Sequence, residues 1–126
     1  MSVKRIAFPL VFLMALSFSC QEDVVPGPAC NVENPVRDLD WLADIAEELD
    51  NSGPRDVFYI SQAKYRLKTV FVVRNCCANC STLPPPVYTC DGKQIGSIGE
   101  GKGDIDPEIL ENSIVVWSTE DFSCSV

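Results

Sequence analysis

Val57-Phe58-Tyr59-Ile60-Ser61-Gln62-Ala63-Lys64-Tyr65 and Thr69-Val70-Phe71-Val72-Val73, separated by Arg66-Leu67-Lys68, decide the fold. The first run alternates weakly and is rich in β-formers. The second is β-branched and aromatic throughout, so it suits a pleated, buried surface. The polar interruption between them reads as a hairpin turn. Working outward toward the C-terminus, Val87 to Cys90 is a short third strand and Lys93 to Ile98 a fourth. Asp91-Gly92 between these strands predicts a type I′ turn, in which both central residues have positive φ. Glycines 96, 99, 101 and 103 mark a loop. Asp106-Pro107-Glu108-Ile109-Leu110 predicts a helical turn capped by Asp106, and Ile114 to Trp117 a last strand.

Toward the N-terminus, Leu39, Leu42, Ile45, Ala46 and Leu49 recur every three or four residues and so share one helix face. Asp40, Asp44, Glu47, Glu48 and Asp50 fall mostly on the other. Asn34 is a candidate cap with Pro35 at the first helical position, and Asp38 a second candidate cap. Asn51, Gly53 and Pro54 stop the helix, which is predicted from about 36 to 51. Trp41 is expected to pack in the core. The fold class is therefore α+β: one N-terminal helix packed on a four- to five-stranded antiparallel β-meander, stabilised by disulfides. An all-β arrangement with a peripheral helix is the alternative.

The first twenty residues address export. Lys4 and Arg5 form a positive head, Ile6 to Leu16 is an apolar run interrupted by Pro9, and Ser17-Phe18-Ser19 precedes Cys20. This is the layout of a secretory signal, and the apolar run is too short to span a membrane, which takes about 20 residues. Residues 1–19 are read as a lipoprotein signal peptide, 20–33 as a spacer beginning at a lipidated Cys20, and 34–126 as one small domain. Ordinary cleavage after Ser19, leaving Cys20 as a free thiol, is the competing reading.

The chain of 126 residues carries ten basic and eighteen acidic side chains. With Lys4 and Arg5 in the signal, eight basic residues stay with the mature chain, for a net charge of −10. Such a charge excludes nucleic acid as an expected partner and argues against direct adsorption to anionic lipid. Membrane attachment is instead expected through the lipid on Cys20. There is no histidine. Ser-His-Asp and Cys-His catalysis, histidine metal ligands and histidine pH switching are all removed with it.

Assigning Cys20 to lipid leaves Cys30, Cys76, Cys77, Cys80, Cys90 and Cys124, an even number suited to an oxidising compartment. These are the disulfide candidates, and six cysteines allow fifteen pairings. Six of those pairings send each member of the Cys76-Cys77-Cys80 group outward, and nine place one bond inside it. The same group has C-x-x-C spacing, so a metal or thiol site is the functional alternative. Glu100, Asp104, Asp106 and Glu108 form an acidic cluster beside the glycines. Asp104, Asp106 and Glu108 are weak candidates for calcium, but no EF-hand spacing is present, and no cofactor is expected. Ser97 has no histidine to activate it. Pro84-Pro85-Pro86 reads as a stiff connector.

Two resemblances accompany these readings. Leu16-Ser17-Phe18-Ser19-Cys20 resembles the lipobox of bacterial lipoproteins, with Leu16 one place earlier than usual, and Gln21-Glu22-Asp23 looks like the acidic tag of surface-directed members. From Asn34-Pro35…Leu39-Asp40-Trp41-Leu42 through Thr69 to Val73, Asn75-Cys76-Cys77 and Tyr88-Thr89-Cys90-Asp91-Gly92 to Ile114-Val115-Val116-Trp117, the chain resembles small Bacteroidota lipoproteins whose domain has no known function. That resemblance implies export and one compact domain, and the lipidated Cys20 is expected to place it on the outer membrane, on the periplasmic or cell-surface face. Pro86 to Lys93 is similar to the Pro-Val-Cys-x-x-Asp-Gly-Lys stretch of Kazal-type protease inhibitors, although here the cysteine directly precedes Asp-Gly. It implies an inhibitor-like loop between Cys80 and Cys90. The leading expectation is a non-enzymatic, lipid-anchored binding or structural module of the cell envelope with an envelope protein partner. A metal or thiol module and a protease-inhibitor-like module are the alternatives.

Overall fold

The antiparallel pairing of β1 (Phe58–Tyr65) with β2 (Lys68–Asn75) runs without interruption from Phe58 opposite Asn75 to Tyr65 opposite Lys68. This computed structural model describes residues 28–52, 57–76, 83–99, 101 and 104–125. The signal stretch 1–19, Cys20, the spacer up to residue 27, Gly53, Pro54, Cys77, Cys80, Glu100 and Gly103 lie outside the described residues.

The hairpin is extended by β3 (Pro86–Thr89) on the free side of β2 and by β4 (Gln94–Ser97) beyond it. β5 (Ile114–Ser118) does not continue this meander. It returns to the open edge of β1, giving the order β4-β3-β2-β1-β5 with every pairing antiparallel. The connection from Ile98 to Leu110 accounts for the return. It crosses one face of the sheet and buries Ile98 and Ile105 against Ala63, Val70, Val72 and Val87. Ile109 and Leu110, on the 3₁₀ turn Pro107–Leu110, pack beside them and deliver the chain to β1.

The other face belongs to the helix. Side chains alternate along a strand, so Ile60, Phe71 and Val116 point away from the first cluster and meet Leu42 and Ala46. Leu42, Ile60 and Phe71 are fully buried. A core leucine or phenylalanine cut back to alanine costs about 2–5 kcal/mol, so this layer carries a large share of the stability. The architecture is thus α+β, with the sheet between a helical layer and a loop layer.

The helix differs from expectation in one respect. It is two pieces, α1 (Pro35–Asp38) and α2 (Asp40–Asn51), separated by Leu39 in an extended conformation. Asn34 caps α1 by accepting from the Arg37 amide, with Pro35 next to it, as the sequence predicted. Asp38 does not cap α2. Its carboxylate reaches back to the Asn34 amide at 2.9 Å and to the Arg37 guanidinium at 2.9 Å, so Leu39 is left as the cap of α2 with no side-chain bond. The break turns Leu39 and Val36 onto the same apolar cluster as Leu42.

The turns also differ. Asp91-Gly92 is not a two-residue type I′ turn: only Gly92 has positive φ, at 82°. The Gly92 amide donates to Thr89 O and the Thr89 amide to Lys93 O, the pattern of a three-residue loop that ends on a left-handed glycine. The two-residue turns with positive φ at both positions stand elsewhere and contain no glycine. Arg66 and Leu67, at 49° and 65°, close the β1–β2 hairpin. Cys30 and Asn31, at 55° and 62°, close a miniature hairpin in which Ala29 and Val32 exchange both backbone bonds.

Candidate functional site

Because β1 and β3 run in the same direction, the β1–β2 and β3–β4 turns lie at the same end of the sheet. The Cys30–Asn31 turn joins them there through a disulfide between Cys30 and Cys90, whose Cα atoms are 5.6 Å apart. The three turns enclose a concavity of about 650 Å³ lined by Lys64, Lys68 and Lys93, by Thr69 and Thr89, by Asp91, and by Leu67 and Ile95. A smaller hollow of about 220 Å³ adjoins it, between Tyr65, Arg66, Lys68, Val70, Thr89 and Ile95.

The chemistry of this groove is cationic with an apolar rim. Lys64, Arg66, Lys68 and Lys93 are exposed. None of the four stands in an ion pair among the described residues. The Lys64 ammonium donates to Thr69 Oγ1 at 2.9 Å, and the Arg66 guanidinium lies 5.0 Å from the Tyr65 ring centroid. Leu67 is 98% exposed at the hairpin tip. Among the described residues, Asp91 is the one carboxylate lining the groove. The Thr89 hydroxyl donates to it, and this bond, ahead of its own backbone N–H and nearby Lys93, holds its pKa below the ordinary carboxylate range. Three ammonium groups and two hydroxyls around one carboxylate can hold an anion.

Trp41 supports this end from below. It is half-buried, and its indole N–H donates to Cys90 O at 2.9 Å. Its ring meets Phe71 edge-on at 5.9 Å and Tyr88 at 5.6 Å. The sequence placed Trp41 in the core but carried no sign of the bond to Cys90.

The sequence-derived candidates are distributed as follows. Cys30 and Cys90 bond each other at the groove, and Cys76 bonds Cys124 at the opposite end of the sheet, with Cα atoms 6.0 Å apart. There the Cys76 amide donates to Val57 O, so the second bridge holds the C-terminal tail beside the start of β1. This leaves Cys76 with no thiolate to offer a metal. The acidic loop is occupied with its own backbone. Asp104 accepts from the Gly101 amide and folds over Gly99 and Gly101, while Asp106 accepts from the Glu108 amide and caps the 3₁₀ turn. Among the described residues no three Asp, Glu or Cys side chains are arranged to hold a metal ion. Among them, too, no helix is long and apolar enough to cross a membrane.

The basic groove itself was missed in the sequence. Its signal was present: Lys64, Arg66 and Lys68 fall within five residues of an otherwise acidic chain. Compared with known proteins, the chain matches no family model, no curated protein and no solved structure.

Proposed function

We propose that this is an exported, lipid-anchored cell-envelope protein of the outer membrane that works as a non-enzymatic binding module. The observation that carries the reading is the pair of bridges, Cys30–Cys90 and Cys76–Cys124, fastening opposite ends of one sheet. Cross-links of this kind persist in oxidising compartments and are rare in reducing ones. The signal-like stretch before Cys20 and the likeness to small Bacteroidota lipoproteins point the same way. The binding surface is the groove between the three turns, the described surface where cationic and apolar groups converge.

The test is fractionation of the native protein beside a Cys20→Ser variant. The native chain is expected in the membrane pellet and in the detergent phase, and the variant in the soluble fraction. Equal solubility of the two, with no acyl mass on Cys20, overturns the proposal.

A further inference from the structure

Six of the described residues are basic, and four of them, Lys64, Arg66, Lys68 and Lys93, stand at one end of the sheet, although the chain as a whole carries a net charge of −8. Between them Leu67 projects almost fully exposed from a turn that holds it at positive φ. A basic ring around a protruding apolar tip matches a bilayer surface, where phosphates lie above hydrocarbon.

The path of the chain selects the same end. It joins the sheet at Cys30, which lines the groove and is bonded to Cys90. Cys30 stands ten positions after Cys20. An extended chain covers at most about 3.3–3.6 Å per residue, so a lipid on Cys20 lies within roughly 35 Å of the groove. The point of entry and the basic cluster therefore coincide at one end of the molecule.

We infer that this end of the sheet docks on the anionic headgroups of the membrane that holds the lipid, with Lys64, Arg66, Lys68 and Lys93 on the phosphates and Leu67 at the headgroup boundary. The inference rests on the lipid-anchor reading. The net negative charge does not oppose it decisively, because salt screens charges beyond about 8–10 Å and the bilayer meets the nearest groups first. Asp91, the one carboxylate lining the groove among the described residues, works against the contact. Each basic residue near an anionic surface strengthens association roughly fivefold. A patch of four thus supplies a second attachment to a singly tethered domain.

The test uses the native protein reconstituted in vesicles of phosphatidylcholine alone or mixed with phosphatidylglycerol. A membrane-impermeant amine reagent is applied, and modified lysines are identified by peptide mass, with labelling in the phosphatidylcholine vesicles as the reference. Labelling of Lys64, Lys68 and Lys93 is expected to fall several-fold in the anionic vesicles and to recover at high salt. A Leu67→Asn variant, whose side chain tolerates positive φ, is expected to lose part of that protection. Equal labelling in both vesicles, on protein whose intact mass shows acyl on Cys20, overturns the inference alone. Protection of the same lysines by inorganic phosphate or polyglutamate, equal to that by anionic vesicles, also overturns it and makes the groove a site for soluble anions. An unacylated native mass overturns the lipid-anchor reading beneath it.

Discussion

A Cβ atom placed on Gly92 would stand 2.8 Å from Cγ and 2.9 Å from Cδ2 of Trp41. The indole thus lies flush beneath the β3–β4 turn, and its N–H is spent on the carbonyl of Cys90 in that turn. Trp41 joins the helical layer to the groove: it belongs to the apolar cluster of Phe71 and touches the loop that carries Asp91 and Lys93.

Gly92→Ala therefore meets two penalties, positive φ and overlap with an aromatic ring. Together they should cost about 2–4 kcal/mol. Urea unfolding followed by tryptophan fluorescence checks this, and a loss below half a kcal/mol would contradict the packing described. Trp41→Phe keeps the stacking and removes the bond to Cys90, so about 1–2 kcal/mol is expected to be lost.

The two disulfides close loops of similar length, with sequence separations of 60 and 48. On loop-closure entropy each is worth about 4 kcal/mol, within a measured range of about 2–5. They cross-link opposite ends of the sheet, so the losses in Cys30→Ser/Cys90→Ser and Cys76→Ser/Cys124→Ser should add. Thermal melts of the two double variants and the quadruple variant measure this.

Arg66 and Leu67 hold a two-residue turn that asparagine and glycine adopt more readily. Replacing the pair by Asn-Gly should stabilise the protein by about 1 kcal/mol, visible as a higher urea midpoint. A fall in the midpoint would show that the turn has another geometry.

Asp38 gives a pH dependence of known sign. The Arg37 guanidinium, and after it the Asn34 amide, hold its carboxyl below the usual range in the folded chain. Its contribution is therefore complete above the pKa of an unfolded aspartate and is lost as pH falls through the lower, folded value. Asp91 acts in the same direction through Thr89. Melting temperature should be flat between pH 6 and 8, since there is no histidine to titrate, and should decline below the ordinary carboxylate range. Asp38→Asn should make that acid decline shallower.

The strands were legible because Val57–Tyr65 and Thr69–Val73 are rich in the β-branched and aromatic residues that a buried sheet requires. The Asn34 and Asp106 caps were legible because both bonds are local. Three features were not. The break at Leu39 depends on Asp38 bonding backward to Asn34 rather than forward, a choice that propensity does not reveal. The Arg66–Leu67 turn adopts positive φ without glycine because Tyr65 and Lys68 are paired in register and leave only two residues to close the hairpin. The groove assembles from three turns, the first and last of which lie 60 residues apart in sequence, and the net charge averages its lysines against acids elsewhere. Cysteine pairing was open for the same reason: Cys30 and Cys90 meet only after β3 lies beside β2.

Two disulfides fasten both ends of the sheet, and the proposed lipid on Cys20 anchors the domain. Peptide mass mapping of the native protein, digested without reductant after thiol alkylation, tests this arrangement most directly. The expected result is one peptide pair joined through Cys30 and Cys90, another through Cys76 and Cys124, and an acylated N-terminal peptide beginning at Cys20. Alkylated Cys30, Cys90 and Cys124 together with an unacylated Cys20 would contradict it.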